Sequence, residues 1–244
     1  PVRSHQPPWQ DRRMTTLPQL GASLRNRRVL ITQSADFMGP ALCAAFQSHG
    51  AVVIADADEL LDPKRPEKLV NDAGQVDVLI ANLACLAPST PAEKVDDTEW
   101  DDVFARLVLP LPRLCRAVLP QMLARKSGKI IVMGSASALR GMKRASTYSA
   151  ARGAQLAYVR ALGVEVAPHN VQVNAIAQNF VDNATYFPPQ VQALEKFQQR
   201  LAAEVPVQRL GTPEEDAMLA LFLACDEVRF MVGQSIPFAG GWVT

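Results

Sequence analysis

Three residues between positions 134 and 152 have the types and spacing to act on one substrate atom: Ser135, Tyr148 and Arg152. Tyr148 and Arg152 are four residues apart, which on a helix puts both side chains on one face with their heads close together. Ser135 follows the apolar run 129–134, a buried-strand pattern, and a strand end facing a helix start is where open α/β sheets hold ligands. A free phenol ionises near pH ~10, too high for a base at neutrality. A fixed cation one turn away favours the phenolate, and Arg, unlike Lys, does not itself titrate. The spacing therefore predicts Tyr148 as a general base, Arg152 as its activator and Ser135 as a hydrogen-bonding partner of a substrate oxygen. Taken alone, a Tyr and an Arg at this spacing describe an ordinary helix-surface pair. The strand-end serine and the rest of the chain decide between the two.

The elements that must position these groups alternate. Short apolar runs at 28–32, 52–55, 77–81, 129–134, 171–176 and 235–238 read as strands. Helical patterns lie between them: from Ala41 through Phe46, then 64–73, 98–125, 146–166, 192–203 and 213–224. Pro110 and Pro112 interrupt the 98–125 stretch, so a kink or break is expected there. Strands alternating with helices predict a single α/β domain, a Rossmann-like, doubly wound parallel sheet with helices on both faces. That domain is expected over 25–244, behind a flexible tail at 1–24 rich in Pro, Gln and Arg, with Met14 as a candidate natural start. Phe46, Trp100, Phe104 and Phe222 are expected in the core.

Composition excludes several classes. The chain has 244 residues, 48% hydrophobic and 20% charged, enough for one full core. A net charge of +1 implies no broad attraction to nucleic acid or anionic membrane. No apolar run approaches a membrane span. Cys43, Cys85, Cys115 and Cys225 are scattered and form no CxxC pair, and the three histidines lack metal spacing, so neither a zinc site nor any other metal is expected. Reduced thiols suit a cytoplasmic protein.

The layout resembles the short-chain dehydrogenase/reductase superfamily from about residue 25 onward. The resemblance rests on Ser135 with Tyr148 thirteen later, on Asn82-Leu83-Ala84 after the third strand, on the VNAIA strand and on Gly240-Gly241 near the end. Ordinary members bind a nicotinamide cofactor, and the chain departs where that cofactor would touch. Their first loop reads TGxxxGxG; the matching residues here are Thr32, Gln33, Phe37 and Gly39. Lost glycines matter because they let a backbone approach a pyrophosphate. The usual Pro-Gly after VNAIA is Gln178-Asn179, and the usual YxxxK lysine is Arg152. Asp56 alone stands where an acid would hold the adenosine ribose.

Losses of this kind with Ser, Tyr and Arg kept resemble the halohydrin dehalogenases, in which a halide site replaces the dinucleotide site. The resemblance implies a cofactor-free enzyme that turns vicinal haloalcohols into epoxides and, in reverse, opens epoxides with small anions such as halide, azide, cyanide or nitrite. It implies Ser135, Tyr148 and Arg152 as the catalytic set. Phe37, Gln178, Asn179, Phe180 and Val181 would bind halide, with backbone N–H groups of 178–181 forming an anion nest. Leu83, Ala84, Ser137, Met142, Ala145, Tyr186 and Phe187 would shape the substrate pocket. It also implies a homotetramer joined through helices 98–125 and 146–166, with Leu114, Val118, Leu156 and Val159 as apolar residues compatible with that or with core. Trp242 would line the pocket or meet a neighbouring subunit. The alternatives are an NAD(P)-dependent reductase with a degenerate cofactor loop, and a binding protein that kept the fold.

Overall fold

The computed structural model describes residues 19–243. Six strands form one sheet: β1 (Arg28–Ile31), β2 (Val52–Ala55), β3 (Val78–Ala81), β4 (Gly128–Ser135), β5 (Val171–Gln178) and β6 (Ser235–Phe238). Their order is β2-β1-β3-β4-β5-β6, and every neighbouring pair is parallel. The expected doubly wound sheet is the one observed. Its central strands are apolar on both faces because both faces are covered. Leu30, Leu79, Ile130 and Val132 face one layer, and Val29, Ile31, Ile80 and Ile131 face the other.

The first layer is α2 (Arg65–Ala73), α4 (Pro110–Arg125) and α5 (Ser146–Val166); the second is α1 (Gly39–Ser48) and α8 (Pro213–Ala224). Helix α3 (Asp97–Leu107) precedes α4, and the short α6 (Pro189–Gln192) and α7 (Glu195–Glu204) lie over the C-terminal strand ends. The expected break between α3 and α4 is real. Pro110 starts α4, where its missing N–H costs nothing. Asp96 caps α3 through Glu99 N–H, and Thr212 with Glu215 forms a reciprocal box that starts α8.

Leu114, Val118, Leu156 and Val159 are fully buried against the sheet, which decides the alternative left by their spacing in favour of this chain's own core. Two expectations need correction. Trp100 is 42% exposed, stacked on Phe104 at 4.8 Å on the outer face of α3, because that helix covers only the edge of the domain. The folded body also starts earlier than residue 25. Ala22–Leu24 form a short turn, Leu24 is buried under α1, and Ser23 Oγ donates to Glu227 Oε2 at 2.6 Å. The rest of the expected tail, 1–18 with Met14, lies outside the described residues.

The loop after β1 shows how the fold keeps its shape without two of the expected glycines. Gln33 and Phe37 occupy glycine positions and still take φ of 44° and 50°, the left-handed region that non-glycine residues seldom enter. Gly39 survives for a steric reason: a Cβ there would fall 2.5 Å from the Ser34 backbone. Gly39→Ala is therefore expected to destabilise the protein by about 1–3 kcal/mol, the usual cost of forcing an atom into packed backbone. A urea midpoint equal to that of the wild type would show that the loop yields freely.

Candidate active site

The strand ends of β1, β3, β4 and β5 surround a cavity of ≈ 280 Å³. This is the crevice that a reversal of strand order opens in such sheets. Ser135 enters it from the end of β4, Tyr148 and Arg152 from the first turns of α5, and Phe37 from the loop after β1. The sequence-derived trio is thus brought together.

Arg152 is the most constrained of the three. Only 3% of it is exposed, yet its Nη1 lies 2.9 Å from the Leu83 carbonyl, 3.0 Å from the Met133 carbonyl and 2.9 Å from Gln155 Oε1. Gln155 is itself fixed by donating to the Leu107 carbonyl at 2.6 Å. The guanidinium carbon sits 5.1 Å from the centroid of the Tyr148 ring. Hydrogen bonds to a charged group contribute about 1.5–3 kcal/mol each, against ~2 kcal/mol for a desolvated cation–ring contact. The carbonyls, not the phenol, therefore fix Arg152. Its Nε is buried without a partner among the described residues.

Ser135 Oγ shares a hydrogen bond with Ser137 Oγ at 2.9 Å and accepts the Ser137 N–H at 3.2 Å. Both leave it oriented at the cavity wall. Opposite, Tyr186 packs against Phe37 with ring centroids 5.5 Å apart and donates its hydroxyl to the Cys85 carbonyl at 2.5 Å. Burial, and next the adjacent Tyr148, hold the Tyr186 phenol far above its ordinary range, so it remains a neutral hydroxyl. Asn183 bends the intervening loop: Oδ1 accepts the Tyr186 N–H at 2.8 Å and Nδ2 donates to the Val181 carbonyl at 3.0 Å.

Most of the expected pocket residues line the cavity: Phe37, Ala84, Met142, Gln178, Asn179, Phe180, Val181, Tyr186 and Phe187. Three do not. Leu83 offers only its carbonyl to Arg152, Ser137 stands behind Ser135, and Ala145 packs behind Tyr148. Trp242 is also one layer back, edge-on to Phe180 at 6.1 Å, with Arg140 over its ring.

Two donors of the expected backbone nest are engaged within the protein. The Asn179 N–H donates to the Phe238 carbonyl, and the Phe180 N–H donates to Asn179's own Oδ1. The first of these bonds continues the β5–β6 ladder, and the chain then passes through left-handed backbone at Phe180, φ 54°. The polar groups left on this wall are one end of the Gln178 amide, the Asn179 amino group and the Val181 N–H, which has no partner among the described residues.

Sequence reasoning missed Arg200, Gln33 and Asp216. Arg200 stands at the cavity over the Phe180 ring at 5.5 Å, held by Glu204 at 3.0 Å. Gln33 stitches the first loop to Ala84, accepting its N–H at 2.6 Å. Asp216 is fully buried in α8, and its two oxygens lie 2.7 and 3.3 Å from the Gln178 amide nitrogen in the orientation that satisfies both groups. The signal was present: Asp216 is in phase with Ala220 and Leu223 on the inward face. Asp56, the expected ribose acid, is instead paired with Arg65 at 2.5 Å.

The comparisons with known proteins divide. A family model described as Enoyl-(Acyl carrier protein) reductase matches residues 64–243. 3-oxoacyl-[acyl-carrier-protein] reductase FabG of Thermotoga maritima is 28% identical over 90% of this chain and 99% of its own. Among solved structures, one titled "Dehalogenation enzyme" superposes with TM-score 0.84 at 30% identity, over 91% of this chain and 100% of that one. Halohydrin dehalogenase HheC bound to ethyl (2S)-oxiran-2-ylacetate superposes with TM-score 0.82 at 27% identity, over 89% and 97%.

One prediction concerns Asp216 alone. Burial pushes its carboxyl up to about 7, above the ~3.9 of an unfolded Asp. The folded protein then holds a proton that the unfolded chain has lost. This contribution to stability is complete below about pH 4 and is lost as pH rises through about 7. Asp216→Asn is expected to flatten that decline in melting temperature relative to the wild type. Parallel curves for the two proteins would place the Asp216 pKa near its ordinary value.

Proposed function

The chain belongs to the enoyl-(acyl carrier protein) reductase family of the short-chain dehydrogenase/reductase superfamily, and within it we propose a cofactor-independent dehalogenase of vicinal haloalcohols. The observation that carries this reading is the cavity itself. Ser135, Tyr148 and Arg152 converge on it, and Phe37 and Tyr186 pack ring to ring on its first-loop side, where the resemblance would place a dinucleotide. The Arg65–Asp56 pair, which engages the expected ribose acid, and the likeness to HheC with its bound epoxide ester support the same reading.

In this mechanism Ser135 and Tyr148 hold the substrate hydroxyl. Tyr148 takes its proton beside the positive charge of Arg152. The alkoxide oxygen attacks the adjacent carbon, the carbon–halogen bond breaks, and the halide leaves with the bonding pair. Both reacting atoms belong to one molecule, so alignment supplies much of the rate. The halide is received by the Gln178–Val181 wall, with Phe37 and Phe180 excluding water. In reverse, Tyr148 protonates an epoxide oxygen while halide, azide, cyanide or nitrite attacks. The proton left on Tyr148 passes to solvent before the next forward turnover. The same reading makes the protein a cytoplasmic homotetramer. Exposed apolar residues on the expected interface helices, Trp100 on α3 and Val164 on α5 at 72%, support that assembly.

The reductase relatives favour a second reading, NAD(P)-dependent carbonyl reduction. Chloride release from a vicinal chlorohydrin with no added cofactor tests the first against it. Turnover is expected without cofactor, and Tyr148→Phe is expected to lower it by about 100-fold or more with the fold intact, because carbonyls rather than the phenol hold Arg152. Near-normal release by that variant would remove Tyr148 from the mechanism. Micromolar NADPH binding in calorimetry, with no chloride released, would install the reductase reading.

A further inference from the structure

Helix α8 brings one ionisable group to the back of the cavity wall. Asp216 is 0% exposed, and its carboxylate meets the amide of Gln178, which itself lines the cavity. Among the described residues no cation is paired with it. Helix α8 packs on α1, β4 and β5. Helix α1 has no charged residue, only the neutral Cys43 thiol, whose pKa burial raises. Strand β5 has none, and β4 has Lys129, whose Nζ is bound to the Val228 carbonyl. On α8 itself, Glu214 is exposed and Glu215 is engaged by Arg209. Asp182, on the neighbouring loop, accepts from Gln192.

A carboxyl and an amide in contact have two complementary arrangements. An ionised Asp216 accepts from the Gln178 amino group, and the amide's carbonyl oxygen is then its other end. A protonated Asp216 donates to that carbonyl, and the amino group is turned the opposite way. We infer that Asp216 is a positioning residue for the anion end of the cavity, setting through Gln178 whether that wall presents a donor or an acceptor. The inference rests on the dehalogenase reading, because a departing or attacking anion is what would sense the difference. Amide orientation and the buried negative charge act in the same direction: both favour the anion when Asp216 is protonated. By linkage, a bound anion raises the proton affinity of Asp216 in return. Burial places this exchange near neutrality, at about 7. Halide capture would then be favoured on the acid side and halide release on the alkaline side, with no change of fold.

The test is the dissociation constant of bromide, measured by calorimetry from about pH 5.5 to about 8.5 for wild type, Asp216→Asn and Gln178→Met. For the wild type the constant is expected to be level at the acid end and to weaken by up to about tenfold per pH unit above the Asp216 midpoint, the limit for one linked proton. Asp216→Asn should be level throughout, and Gln178→Met should show a smaller slope. A level wild-type profile, a slope unchanged in Asp216→Asn, or no bromide binding alongside intact halide release overturns the inference and leaves the dehalogenase reading standing. If Asp216→Asn does not fold, a slope unchanged in Gln178→Met overturns it equally. Neither bromide binding nor chloride release in the wild type overturns both.

Discussion

A buried cation organises this site. Arg152 has almost no access to water, and a charge so placed is tolerated only where acceptors surround it. Two of its acceptors are main-chain carbonyls, of Leu83 beyond β3 and Met133 in β4, and the third is Gln155, which is itself tied to Leu107 at the end of α3. One side chain thereby joins two strand ends and two helices. Tyr148 lies on the face of that cation, and Ser135 lies at the end of the same strand that supplies Met133. The positive charge is consequently held by backbone and Gln155, independently of the phenol and the hydroxyl beside it.

The opposite side of the cavity is held by packing. Phe37, Tyr186, Phe187 and Phe180 form a chain of ring contacts that continues to Phe197 and Trp242. Rings in such contact contribute about 0.5–1.5 kcal/mol per pair beyond their buried area. That offsets part of the cost of keeping Phe37 and Phe180 in left-handed backbone, a strain of order 1–3 kcal/mol each.

Much of this was legible in the sequence for identifiable reasons. Strands buried on both faces show as unbroken apolar runs, so the sheet and its order of elements follow from pattern. Proline at the start of α4 marks its own boundary. The Ser135–Tyr148–Arg152 spacing is local enough for helix geometry to bring its parts together. What was not legible shares a different cause. Leu114 and Val159 are apolar at helical spacing whether they meet a sheet or another subunit, and only the packed chain decides. The backbone donors of 178–181 look available in sequence, yet a side chain two bonds from the backbone, that of Asn179, consumes one of them. Asp216 lay among three acids at a helix start, where charge complementing the helix dipole is the ordinary explanation. Its inward phase is the one clue that separates it from its neighbours.

The first loop carries a consequence for ancestry. Gln33 and Phe37 replace glycines without moving the chain out of the glycine conformation. A glycine at either position would need no change of backbone, only the loss of a side chain, and would fit with less strain than the present residue has. Under the proposed function, the sequence path between a first loop open to a long ligand and one filled by side chains is then short, because each step changes a side chain and leaves the scaffold as it is.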